Sequence, residues 1–337
     1  MTSTLKAFLQ YTLIFLITGV LIWYSLSGLQ VKEGENKWEY ILNTWHAADK
    51  GWLLLMAGIA IISHLLRAER WRMLIEPTGH KTTLNASFLS LMVGYLVNLV
   101  IPRGGEVSRC YNLYKLDKTP VEISFGTVVV ERLIDVIFLV SLIGLAFLAE
   151  SEKLFAFINT LPIESSGLLG KLMGLLLVVA VGALLVGLFY WLARRNQRLS
   201  AFLKKTFEGF KHGFSSILRL EHKSLFIFYS VAIWFLYFVM SYCVIMAFHE
   251  TSHLGFNAVL SLFAIGSIAM AAPLPGGTGS YHVLVPAGLV FLYQIPQPEA
   301  VAFTFVFHGW QTLIMVVGGA LSLLVTSFLV RKKRNTH

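Results

Sequence analysis

The sequence predicts an all-α polytopic membrane protein, with about six full spans plus two broken, re-entrant helical segments. Three observations predict it. Hydrophobic residues make up 56% of the 337 and charged residues only 13%, where a soluble domain carries about 25% charged. The apolar residues collect in runs of roughly 20, the length a helix needs to cross a bilayer. Two of these runs are broken by clustered proline and glycine.

Six stretches read as spans: 8–29, 52–66, 123–149, 167–192, 225–248 and 301–330. The second is short and borrows from its flanks. The first is long enough to span and lacks a small-residue cleavage site, so it reads as a helix and not a cleaved signal. The broken stretches are 84–101, ending in Pro102-Arg103-Gly104-Gly105, and 256–293, interrupted by Pro273-Leu274-Pro275-Gly276-Gly277-Thr278-Gly279-Ser280. No polar block is long enough for a separate soluble domain, so residues 1–337 read as one membrane domain with halves near 1–149 and 166–337. Cys110 and Cys243 fall on different elements, which implies neither a disulfide nor a zinc site.

The net charge of +9 reflects basic loops and not nucleic-acid binding. Arg67, Arg70, Arg72 and Lys81 follow the second span; Arg103, Arg109, Lys115 and Lys118 precede the third; eight basic residues lie in 194–223; and Arg331-Lys332-Lys333-Arg334 closes the chain. Basic loops mark the cytoplasmic side. This places a multi-pass protein in the cytoplasmic (inner) membrane with both termini in the cytoplasm. The flanks of 84–101 are then both cytoplasmic and those of 256–293 both external, the mark of an inverted repeat. An eight-span reading gives the same termini but needs a crossing through the polar stretch 102–122. The loop 194–223 carries Phe202, Phe207, Phe210 and Phe214 among lysines, as an amphipathic helix on an anionic surface would, or else it is a solvated linker.

Three clusters carry chemistry. The first is 273–280, where two prolines and three glycines cannot continue a helix. Backbone freed at bilayer depth must meet protein or a wet cavity. A helix restarting near Thr278 or Ser280 would offer its amides to an anion; the plain alternative is an external loop. The second is Arg103-Gly104-Gly105-Glu106-Val107-Ser108-Arg109, with Glu106 and Arg109 on one helix face, where arginine suits phosphate or simply anchors topology. The third is Glu131-Arg132-x-x-Asp135 inside an apolar helix. Charges there face an interior or a cavity, contacting substrate or locking helices together. The run Arg67–Arg72 reads as an interfacial anchor with Trp71 at headgroup level, and His308 as a packed donor.

Together, Ile101-Pro102-Arg103-Gly104-Gly105-Glu106-Val107-x-Arg109, Glu131-Arg132-Leu133-Ile134-Asp135 and Pro273-x-Pro275-Gly276-Gly277-x-Gly279 resemble, in order, the flippase-like transmembrane region of the lysylphosphatidylglycerol synthase family. The resemblance covers nearly the whole chain. It implies a lipid-handling membrane domain, in the best-known members a flippase for aminoacylated phospholipid. Those members also carry a cytoplasmic aminoacyl-transfer domain, for which 337 residues leave no room, so the chain resembles the stand-alone membrane branch. Such proteins often have a Glu where this chain has His282, which implies a different headgroup preference.

The expected function is translocation of a phospholipid or lipid-linked headgroup, with no catalytic residues, cofactor or metal. The expected partners are membrane lipids with anionic or phosphate-bearing headgroups, together with a lipid-synthesis enzyme, and no nucleic acid. The candidate binding residues are Arg103, Glu106, Arg109, Glu131, Arg132, Asp135, Gly276, Gly277, Thr278, Gly279, Ser280 and His282. Two alternatives stand beside this: a membrane-embedded lipid transferase or hydrolase, for which no HExxH or acid–histidine cluster is present, and a non-transporting subunit of a lipid-synthesis complex.

Overall fold

A computed structural model describes residues 3–29, 31, 36–160, 217 and 219–335. The expected span 167–192 and nearly all of the loop 194–223 lie outside the described residues. Among the described residues the chain forms ten α-helices and no strand. They are α1 (Ser3–Ser27), α2 (Lys37–Ala47), α3 (Lys50–Ile75), α4 (Leu84–Asn98), α5 (Gly104–Asp117), α6 (Val121–Thr160), α7 (Lys223–Ala247), α8 (Phe256–Ala271), α9 (Ser280–Tyr293) and α10 (Gln297–Asn335). Four of these, α3, α6, α7 and α10, are long and apolar enough to cross a membrane. The protein is therefore an all-helical, multi-pass membrane protein.

The remaining core helices pair into hairpins. Helices α4 and α5 have 15 and 14 residues, α8 and α9 have 16 and 14. At 1.5 Å per residue each reaches about 21–24 Å, short of the roughly 30 Å hydrocarbon layer. The order long helix, short hairpin, long helix thus occurs twice, as α3–α6 and as α7–α10. Helices α3 and α7 pack antiparallel. Asp49 N donates to Ala247 O at 2.8 Å, Arg67 reaches Tyr237 and Arg70 reaches Ser230. The two units therefore run in opposite directions along this seam.

Small residues set the first hairpin. A Cβ on Gly94 would lie 2.9 Å from the Gly105 carbonyl, and one on Gly105 would overlap the Gly94 carbonyl and the Asn98 side chain. The arms touch backbone to backbone, which only glycine permits. Asn98 Oδ1 accepts from Gly105 N at 2.7 Å, so one arm caps the first turn of the other. At the open end, Asp117 Oδ2 accepts from the Thr83 amide and the Thr82 hydroxyl, both at 2.9 Å.

Helix α3 corrects the sequence reading in one respect. The second span does not end near residue 66 but continues to Ile75, with Arg67, Arg70 and Trp71 buried. Trp71 is 0% exposed and donates to Thr127 Oγ1 at 3.0 Å, so it is not a headgroup-level anchor. Arg67 and Arg70 are accordingly not loop charges, and the positive-inside count after the second span rests on Arg72 and Lys81 alone. Helix α2, in a stretch read as loop, holds Trp45 against Trp310 of α10 with ring centroids 5.4 Å apart.

Candidate functional site

The tips of the two hairpins meet. Arg103, at the start of α5, donates from Nη2 to the carbonyl of Ala271, the last residue of α8, at 3.0 Å. A Cβ on Gly276 would sit 2.8 Å from Leu99 Cδ2. Arg103 holds this position with φ +63°, and Gly276, Gly277 and Gly279 have φ +56°, +71° and +100°. Left-handed backbone is open to glycine and strained for most other residues, which explains the glycines of 273–280 physically. His308 of α10 closes the turn with Nε2 3.0 Å from the Gly276 carbonyl.

Beside the meeting point lies a cavity of about 550 Å³. Of the twelve candidate residues, Arg103, Glu106, Arg132, Asp135, Gly276 and Gly277 line it. Arg109 and Glu131 do not; they stand behind the wall in an ion network. Thr278, Gly279, Ser280 and His282 are not among the lining residues either. They face elsewhere: Ser280 Oγ donates to Ala269 O at 2.7 Å, a Cβ on Gly279 would meet Leu21 of α1 at 3.0 Å, and Ser25 of α1 donates to the His282 carbonyl at 2.6 Å. The first turn of α9 is thus packed on α1, and the anion site expected at its amides does not open on the cavity.

The ion network is built by α3, α5 and α6. Glu131, fully buried, accepts from Arg67 Nε at 2.8 Å and Arg109 Nη2 at 2.7 Å, with Arg70 Nη2 at 3.4 Å. Asp135 takes Arg67 Nη2 at 2.8 Å and Arg70 Nη2 at 2.7 Å. Arg109 also stacks on Trp71, its Cζ 4.6 Å from the ring centre. Arg132 points the other way. It pairs with Glu106 at 3.2 Å and more loosely with Asp135 at 3.9 Å, and its side chain stays 38% exposed. Four guanidinium groups therefore meet three carboxylates, which leaves one positive charge in excess.

Sequence reasoning missed Arg67 and Arg70 as part of this assembly, and also the cavity-lining Tyr95, Trp234, Tyr237 and Gln311. One signal was available. Arg67 and Arg70 are three apart and Glu131 and Asp135 four apart, so each pair shares a helix face. Two facing pairs of opposite charge in apolar helices are natural partners.

The cavity wall is largely apolar, and its rim reaches the outer surface of the bundle. Val136 on α6 and Met270 on α8 line the cavity and are 54% and 38% exposed. Leu133, Ile137 and Val140 on α6 and Ile268 on α8 continue this exposed apolar surface. The site thus joins a charged floor to a greasy mouth, a suitable arrangement for an amphiphile. Among the described residues no group of three or more His, Cys, Asp or Glu side chains could hold a metal ion.

A family model for the lysylphosphatidylglycerol synthase TM region matches residues 11–319. A UPF0104 membrane protein of Methanocaldococcus jannaschii is 32% identical over 87 residues, 25% of this chain and 26% of the relative. The match therefore spans about a quarter of that curated relative's length. No solved structure matches the chain at a significant level. Because the family match runs through both hairpins, the ion network and most of α10, the chain belongs to the lysylphosphatidylglycerol synthase transmembrane-region family.

Proposed function

We propose that the protein translocates a phospholipid or lipid-linked headgroup across the cytoplasmic membrane, with the headgroup held in the central cavity and the acyl chains left in the bilayer. One observation carries the reading: a cavity where two opposed hairpin tips meet, lined by three arginines against two carboxylates, with an exposed apolar rim. The floor suits a phosphate, since arginine binds phosphate through paired, charge-assisted hydrogen bonds. The rim suits lipid tails. The repeated units running in opposite directions supply two bodies that rock about the site. Both termini lie on the cytoplasmic side in this reading, and an enzyme that makes the lipid is the implied partner.

The test is reconstitution. Vesicles containing the purified protein should move a fluorescent anionic phospholipid between leaflets faster than empty vesicles. Equal rates with and without protein, across anionic phospholipids, would remove this function.

A further inference from the structure

Arg103 differs from its neighbours in the cavity. Three arginines line it, and Arg67 and Arg132 each have a carboxylate within ion-pair distance. Among the described residues Arg103 is the one lining arginine with none. Its partner is the neutral carbonyl of Ala271, at the C-terminal end of α8. That end of a helix carries partial negative charge, so the contact is favourable, but the partner is not an ion. The residue is exposed, sits at the very tip of the first hairpin, and reaches across to the tip of the second. It does so from a left-handed backbone at φ +63°, which costs an arginine conformational energy that its surroundings must offset. Leu99 also approaches Gly276 across the two tips.

These facts define a latch that a phosphate can open. A guanidinium–phosphate contact is charge-assisted and roughly twice as strong as a neutral hydrogen bond. A phosphate in the cavity therefore competes with the Ala271 carbonyl for the same side chain and wins. We propose that Arg103 is the residue through which an anionic headgroup opens the site: the headgroup phosphate takes the Arg103 guanidinium from Ala271, and the two hairpin tips separate. A zwitterionic headgroup such as phosphatidylethanolamine brings its own ammonium beside the phosphate and releases the latch less. The latch thus makes Arg103 a specificity-determining residue as well as a gate, because a ligand shifts a two-state equilibrium only by its differential affinity for the two states. This inference rests on the proposed binding of a lipid headgroup in the cavity.

The experiment places spin labels at Val100→Cys and Ile268→Cys, both on exposed residues near the two tips. Cys110 and Cys243 are buried, 0% and 1% exposed, and escape the label. Label-to-label distances are measured by pulsed electron resonance in nanodiscs of phosphatidylethanolamine alone or with phosphatidylglycerol added. The wild-type background should give a short distance in the first lipid and a longer, broader one in the second. With Arg103→Ala the distance should be long in both, and its affinity for short-chain phosphatidylglycerol should fall roughly tenfold. Arg103→Lys keeps the charge and should recover part of the lipid response. An unchanged wild-type distance in the two lipids, or an Arg103→Ala response equal to wild type, overturns the latch. Separation of the tips without lipid movement in vesicles would instead remove the proposed transport and leave the latch standing.

Discussion

Glu131 and Arg132 are neighbours in sequence and opposites in space. Glu131 is fully buried and touches three arginines, while Arg132 turns into the cavity with 38% of its side chain exposed. A helix turns about 100° per residue, so one apolar helix serves a structural bond and a ligand-facing charge at adjacent positions. The two variants should therefore fail differently. Glu131→Gln removes the carboxylate charge that Arg67 and Arg109 share and leaves buried cations uncompensated. Breaking a buried pair costs about 3–5 kcal/mol, so the variant should unfold at markedly lower temperature in detergent, or yield little monodisperse protein. Arg132→Ala gives up one cavity-facing pair, in which Arg132 is 38% and Glu106 14% exposed, and should cost less than the loss of the three contacts of Glu131. It should purify normally and lose lipid movement. A thermally robust Glu131→Gln protein, or an active Arg132→Ala protein, would contradict these assignments.

The network also ranks two arginines that look alike in sequence. Both pair with Glu131 and Asp135, but Arg70 is completely buried and holds Glu131 only at 3.4 Å, whereas Arg67 holds both carboxylates at 2.8 Å and lines the cavity. Arg70→Met replaces the buried cation with a chain of similar length and leaves two carboxylates sharing fewer partners, so its effect should appear as thermal destabilisation. Arg67→Lys keeps the charge but not the fork that spans Glu131 and Asp135. It should retain most stability and lose affinity for anionic lipid, read as weaker protection of the protein against heat by added phosphatidylglycerol.

The first hairpin gives a control away from the charges. Gly94 and Gly105 let α4 and α5 touch through their backbones, and any side chain at Gly105 overlaps the Gly94 carbonyl. Gly105→Val should force the arms apart and disrupt the Asn98 cap, lowering stability and activity together. Gly58 and Gly144, where a Cβ would meet nothing within 4 Å, should accept alanine with little change in either. Equal tolerance at Gly105 and Gly144, measured by thermal unfolding and lipid movement, would contradict the close approach.

The apolar runs and the two Pro/Gly breaks were legible because they depend on local chemistry: hydrophobic length, and backbone that cannot stay helical. The ion network was half legible. Glu131 and Asp135 stand out inside an apolar run, but Arg67 and Arg70 follow a short, mostly apolar run and look like the edge of a span. The helix continues because α6 supplies carboxylates and α7 supplies Ser230 and Tyr237, partners that are distant in sequence. The side of the second break that faces the cavity was not legible at all. Whether Gly276 or Ser280 lines the site depends on where α1 packs, and a glycine-rich turn carries no signal of its neighbours. Helix α5 was hidden for a related reason: it buries Arg109, Cys110 and Asn112 against other helices, so its sequence reads as polar loop.

At Gly276 and Gly277 backbone shape and site geometry coincide. Both have left-handed φ, +56° and +71°, and both line the cavity. A Cβ on Gly277 would overlap Met270 Sδ, and one on Gly276 would press on Leu99 at the tip-to-tip contact. Gly276 also presents its carbonyl to His308. A left-handed backbone costs an ordinary L-residue about 1–2 kcal/mol, and asparagine tolerates it best. A β-branched residue tolerates it worst. Activity at position 276 should therefore fall in the order Gly, Asn, Val, with Gly276→Val close to inactive. At position 277 even Gly277→Ala should impair transport, because the backbone is left-handed there and the added Cβ also displaces the Met270 side chain. Lipid movement is followed in vesicles with matched protein content, and folding by gel filtration. If Gly276→Val matches wild type, the break is an ordinary loop, and the placement of a headgroup site at the hairpin tips fails with it. If Asn and Val are equally inactive while both fold, the block is steric at Leu99, and backbone strain does not decide the outcome.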